Sequence, residues 1–227
     1  MYGIYVIFGL FALISWMIQR RLKSKFDKYS KMSIANGMTG KDIAEKMLRD
    51  NGIYDVTVVS TSGHLTDYYN PTDKTINLSE NVYSSSSVAA AAVSAHECGH
   101  AVQHAQSYAF LKMRSKLVPV VNFASNWMQW VLLAGIIFLQ SFPQLMLAGI
   151  ILFACTTLFS IITLPVEINA SSRGLAWLSN AGITNIDNAS EARDALKWAA
   201  YTYVVAAIGS LATLIYYIMI ATSGRRE

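Results

Sequence analysis

Val93-Ser94-Ala95-His96-Glu97-Cys98-Gly99-His100-Ala101-Val102 lies inside an Ala-rich segment that reads as one continuous helix. At 3.6 residues per turn, His96 and His100 project from one helix face about one turn apart, so both imidazoles can reach a single metal ion. Glu97 stands beside them. It is too close in sequence to complete a relaxed tetrahedral site, but well placed to hold a water at the metal and take its proton as general base. His-Glu-x-x-His on a helix therefore implies metal-assisted hydrolysis.

A third protein ligand is expected, because hydrolytic zinc commonly keeps three side chains and leaves the fourth position for water. His104 lies one further turn along the helix, but about 12 Å from His96 along the axis at about 1.5 Å per residue, too far to join. It reads as a surface histidine or as support for a ligand. Glu167, in Leu164-Pro165-Val166-Glu167-Ile168-Asn169-Ala170-Ser171, is the first charge after a long apolar run. Desolvating a carboxylate there is costly without a partner. A metal would supply one; the other reading is a snorkelling or hydrogen-bonded Glu at a membrane boundary.

Around this core the composition argues against a wholly soluble domain: 53% of residues are hydrophobic, 14% are charged, and the mean hydropathy is +0.34. Residues 1–19 carry no charge and suffice to cross about 30 Å of hydrocarbon as a helix. The basic residues Arg20, Arg21, Lys23 and Lys25 come after this run, so it reads as an anchor and not as a cleaved signal peptide. Charge is absent again between Lys116 and Glu167, a run broken by Gln140-Ser141-Phe142-Pro143-Gln144, which reads as a tight turn between two spans. A last uncharged run starts at Trp198. Asn122, Asn126 and Gln129, spaced i, i+4, i+7 in the first arm of the hairpin, are expected to face protein and not lipid.

Between the first two apolar runs the pattern predicts a small α+β layer. Thr39 caps a helix through Asp50 that Asn51-Gly52 ends, with Ile43, Ala44, Met47 and Leu48 on its inner face. Residues 56–59 read as a strand, and residues 65–69 and 75–78 as a hairpin about Asn70-Pro71-Thr72-Asp73. The strand before the metal helix is either structural or the sheet edge that receives extended substrate. His64, beside the hairpin, reads as a loop residue. Asn180-Ala181-Gly182 ends the helix of Glu167, and Asn188-Ala189-Ser190-Glu191 is a capping-box-like start for the next. Cys98 points off the ligand face and Cys155 lies mid-span, so no disulfide is expected. No nucleotide-binding loop or nucleic-acid module is present, and a formal charge of +4 implies no polyanionic partner.

The chain resembles bacterial membrane-bound neutral zinc metallopeptidases of the YugP type over most of its length. The matching stretches are Tyr29-Ser30-Lys31, Asn36-Gly37-Met38-Thr39-Gly40, Leu65-Thr66-Asp67, His96 through His104 and Leu164 through Ser171. The resemblance implies that His96 and His100 bind zinc, that Glu97 is catalytic and that Glu167 is the third ligand. Gluzincins often place an Asp four residues after the ligand Glu to orient a zinc histidine, whereas this chain has Ser171 there. Asn169 and Ser171 are both candidates for that task, and His64, Asn169 and Arg173 for stabilising an oxyanion.

The expectation is a mainly α membrane protein with about four transmembrane helices and a small α+β zincin-like layer. Its activity would be that of an endopeptidase with one Zn2+, acting on membrane or membrane-proximal proteins at the lipid bilayer, with homo-oligomers open. The competing reading is a non-catalytic interaction or scaffold protein with a structural zinc. The segments divide into a span at 1–19, a cytosolic region at 20–116, a transmembrane hairpin at 117–166, a cytosolic helix at 167–197 and a span at 198–222. Sixteen of the 18 Lys and Arg fall in the two segments assigned to the cytosol, which sets orientation in a bacterial cell membrane. Arg225 and Arg226, beyond the last span, argue the other way.

Overall fold

The computed structural model describes residues 2–223; Arg225 and Arg226 lie outside them. The elements in chain order are α1 (Tyr2–Tyr29), α2 (Gly40–Asp50), β1 (Thr57–Thr61), β2 (Tyr68–Asn70), β3 (Thr75–Ser79), α3 (Glu80–Tyr83), α4 (Val88–Ala105), α5 (Ala109–Ile137), α6 (Pro143–Asn180) and α7 (Ile186–Ser223). The protein is mainly helical, and among the described residues α1, α5, α6 and α7 contain stretches long and apolar enough to cross a membrane. Contacts divide the chain into two units. One comprises Met1–Met17, Lys112–Leu164 and Thr202–Glu227; the other comprises Ile18–Leu111 and Pro165–Tyr201.

The second unit holds the sheet. Its α2 starts as the sequence predicts: the Asp42 backbone N–H donates to Thr39 Oγ1, and the Thr39 backbone N–H donates to the Asp42 carboxylate. This reciprocal box satisfies two of the donors that a helix start leaves open and holds the Asp42 carboxyl below its ordinary range, chiefly through the Thr39 hydroxyl. Ile43, Ala44, Met47 and Leu48 form the inner face and are all buried. They pack with Ile76 and Leu78 of β3 and with the run Ala89–Ala92 of α4, whose short side chains let the helix approach closely. Ser87 caps α4, its Oγ accepting the Ala90 N–H at 3.2 Å.

Two expectations change here. The strand and hairpin form, but β3 is the middle strand, parallel to β1 from Thr57↔Thr75 to Thr61↔Ser79 and antiparallel to β2. Both its hydrogen-bonding sides are therefore taken, and it cannot receive a substrate strand; the sheet's edges are β1 and β2. The last helix also starts earlier than Asn188, because Asn185 Oδ1 accepts the Asn188 backbone N–H at 2.9 Å, the contact an N-cap makes with the third helical residue. The cap is Asn185, and Asn188 lies inside α7.

In the first unit, Leu132 of α5 packs with Met146 and Ile150 of α6. A Cβ on Gly135 would lie 2.6 Å from the Met146 backbone, and one on Gly149 would lie 2.7 Å from Leu132, so glycine sets how near these helices come. Asn122, Asn126 and Gln129 are exposed, on the side of α5 opposite the buried Ala124, with Gln129 bordering the buried Leu132 three residues on. Among the described residues, none covers them.

The core and cap contributions separate by magnitude. Met47→Ala empties a fully buried site and should cost about 2–5 kcal/mol, whereas Thr39→Ala removes a half-buried cap worth about 1 kcal/mol. Thermal unfolding in detergent should rank Met47→Ala below Thr39→Ala, and the reverse order would show that α2 is not held by its inner face.

Candidate metal centre

Two helices in the second unit build the site. His96, Gly99, His100 and Gln103 share one face of α4; Glu167, Ala170, Ser171 and Gly174 share one face of α6. The faces meet antiparallel. A Cβ at Gly174 would lie 2.7 Å from the Ala95 carbonyl oxygen, and one at Gly99 would lie 2.5 Å from the Ala170 carbonyl oxygen. Gln103 Nε2 donates to the Val166 carbonyl at 2.8 Å. The contacts step down α6 by four residues for each four gained along α4, one helical turn at a time.

That approach gathers His96, His100 and Glu167, whose donor atoms lie within 4.8 Å of one another. Glu167 Oε2 is 3.4 Å from His96 Nε2 and 3.6 Å from His100 Nε2. Two donors each about 2.0–2.1 Å from a tetrahedral zinc ion would stand about 3.3 Å apart, so these spacings fit such an ion closely. The donor chemistry fits too, since two imidazoles and one carboxylate form a set used by hydrolytic zinc. Glu167 is 3% exposed. A carboxylate buried this deeply against two imidazoles suits a cation held among them.

Hydrogen bonds fix how the imidazoles are presented. Gln103 is fully buried, and its Nε2 donates to both Val166 O and Asn169 Oδ1, at 2.8 and 3.0 Å. Its Oε1 must therefore face the other way, where it lies 3.1 Å from His100 Nδ1. An amide oxygen can only accept, so His100 carries its proton on Nδ1 and leaves an Nε2 lone pair for a metal. His96 Nδ1 lies 3.0 Å from Ser171 Oγ. Of the two residues expected to orient a histidine, Ser171 therefore does so directly, while Asn169 acts through Gln103. Arg173 completes the network, donating from Nε to Asn169 and from Nη1 to Gln106, each at 2.7 Å.

Glu97 is buried, and burial pushes its carboxyl up from the ordinary range against the pull of the two imidazoles. Cys98 points away from this face: its Sγ donates to the Ala44 carbonyl at 3.5 Å, and burial pushes its thiol well up, which makes it a poor nucleophile. His104 stands apart from the cluster. Its Nδ1 meets the Tyr69 hydroxyl at 2.8 Å, and with Tyr69, Asp55 and Lys74 it lines a cavity of about 230 Å³. His64 packs against the Phe26 ring at 5.7 Å between centroids.

Sequence reasoning missed Gln103, Gly99 and Gly174. A signal existed for the first, a polar residue three positions after His100 on the ligand face; the glycines show their purpose only once α6 is laid against α4.

Two helix-borne imidazoles and an incoming carboxylate beside a buried Glu make up a donor set of the kind that hydrolytic zinc uses. Residues 4–222 match the family described as "Putative neutral zinc metallopeptidase", and the chain belongs to that family. A protein of Bacillus subtilis (strain 168), "Putative membrane protease YugP", is 43% identical over 214 residues, covering 94% of each chain. No solved structure matches the chain.

Two measurements probe the construction. Gly99→Ala and Gly174→Ala each push a Cβ into backbone of the facing helix, and should lower zinc per chain in purified protein; Gly9→Ala, with open space at its Cβ, should not. Gln103→Ala should weaken zinc binding by about 10–100-fold in competition with a chromophoric chelator, the usual effect of losing a partner that orients a ligand. Unchanged zinc affinity in Gln103→Ala would show that the His100 tautomer is not set by this amide.

Proposed function

We propose that this protein is a membrane-embedded zinc endopeptidase in which His96, His100 and Glu167 hold one Zn2+ and Glu97 is the general base. The observation that carries this reading is the convergence of two imidazole nitrogens and one buried carboxylate oxygen at spacings a single zinc ion would bridge. When bound, zinc supplies a Lewis acid that lowers the pKa of water towards 7 and polarises the peptide carbonyl. Glu97 takes one proton from the attacking water as the new C–O bond forms, then returns it to the amine nitrogen as the C–N bond breaks. Gln103 and Ser171 hold the two imidazoles at their Nδ1 sides throughout. Extended substrate pairs along β2, which has one open side and whose Tyr69 contacts α4 through His104.

The setting follows from the chain. Glu167 comes directly after the apolar run that ends in Leu164-Pro165-Val166, which supports a site at the membrane surface and membrane or membrane-proximal protein substrates. The regions 20–116 and 167–197 face the cytosol, and the four spans lie at 1–19, within 117–166 as a hairpin, and at 198–222. The basic cluster from Arg20 to Lys31 dominates orientation because it is large and inserts with the first span.

Glu97→Gln should abolish peptide hydrolysis while leaving zinc content near wild type, since Gln keeps the shape and loses the base. Glu167→Ala should cut zinc stoichiometry, whereas His104→Ala should leave it nearly intact. Retained hydrolysis in Glu97→Gln would overturn the mechanism, and the opposite ranking of the two alanine variants would overturn the ligand set. For orientation, single cysteines at Ser24 and Ser141, in a background lacking native cysteines, are probed in intact cells with a membrane-impermeant thiol reagent. Labelling is expected at Ser141 alone; labelling at Ser24 would place the protease outside the cell.

A further inference from the structure

The membrane-length part of α5 presents three carboxamides to its surroundings. Asn122, Asn126 and Gln129 are exposed and lie on one stripe of the helix, spanning about 10 Å along its axis at about 1.5 Å per residue. Beside it, Phe123, Trp127 and Trp130, between 55% and 64% exposed, form a large apolar aromatic strip, bordered by Asn126 and centred on another side of the helix. The side of α5 that meets α6 is different again, lined by Leu132 and Gly135. Among the described residues, no side-chain hydrogen bond is made by Asn126 or Gln129. Each lies near the middle of the uncharged stretch between Lys116 and the turn at Gln140, at a depth where hydrocarbon offers an amide nothing to bond.

We infer that this stripe is a homo-oligomeric interface, in which the α5 helices of two copies of this chain pack in parallel and join their carboxamides across the contact. Two features single out a second copy as the occupant. Copies inserted in one membrane share one orientation, so a closed pair has its axis along the membrane normal and each α5 residue meets its own counterpart at the same depth. A carboxamide is self-complementary, with two N–H donors and a carbonyl acceptor, so Asn meeting Asn or Gln meeting Gln satisfies both partners. The seven-residue step from Asn122 to Gln129 keeps both on a parallel helix seam, with Asn126 one turn beyond Asn122.

The test uses the full chain in native membranes, with Cys98 and Cys155 replaced by alanine. A single cysteine is placed at Leu133, one turn beyond Gln129 on the stripe, or at Trp127 on the aromatic face, and oxidised with copper phenanthroline. Leu133→Cys should yield a disulfide-linked species of twice the 25.0 kDa chain, and Trp127→Cys should not. Adding Asn122→Leu, Asn126→Leu and Gln129→Leu to Leu133→Cys should cut that yield at least fivefold, with unchanged zinc content showing that the fold persists. No dimer from Leu133→Cys, or equal crosslinking from Trp127→Cys, would overturn the inference on its own. So would an undiminished yield in the triple-leucine chain, or a crosslink from Leu133→Cys to a protein of another mass, which would assign the stripe to a different membrane partner.

Discussion

The site depends on placing one carboxylate, Glu167, in a nearly solvent-free position against two imidazoles carried by another helix. Burying such a charge costs several kcal/mol unless cations or hydrogen bonds offset it. The surroundings are arranged to that end: two Nε2 atoms converge on its oxygen, and their Nδ1 sides are engaged by Ser171 and Gln103. None of this survives a wider helix separation. Gly99 and Gly174 are therefore as much part of the centre as its donors, because each lets one helix backbone touch the other.

Much of this was legible in the sequence, for physical reasons. The three-residue gap between His96 and His100 states its own geometry, because a helix repeats every 3.6 residues. The loss of charge between Lys116 and Glu167 marks both the spans and the residue that ends them. Thr39 and Asp42 announce a helix start through local hydrogen bonds alone, and the structure shows both. What was not legible depends on partners distant in sequence. The position of β3 between β1 and β2 is set by a parallel pairing that no short turn encodes. The role of Gln103 needs Val166 and Asn169, more than 60 residues away, to orient its amide. The start of α7 was misplaced for a smaller reason: Asn185 and Asn188 are both good caps, and only the hydrogen bond tells them apart.

The two units divide the work differently. The second carries His96, His100 and Glu167, the hydrogen bonds that orient them and the edge strand β2 beside α4. The first contributes apolar length, close glycine-mediated packing of α5 on α6, and an amide stripe that its own helices leave uncovered. Membership in a zinc metallopeptidase family fits the second unit's donor set, and the membrane-length helices fit the relative's name.

The proposed hydrolysis requires two imidazoles and one carboxylate around the metal. X-ray absorption at the zinc edge of the purified protein reads that shell without reference to activity. It should show two imidazole nitrogens and oxygen donors at about 2.0–2.1 Å, with no sulfur scatterer at about 2.3 Å, and Glu167→Ala should remove or alter the oxygen contribution. A sulfur shell, which would bring Cys98 into the site, or a third imidazole from His104 would contradict the assignment.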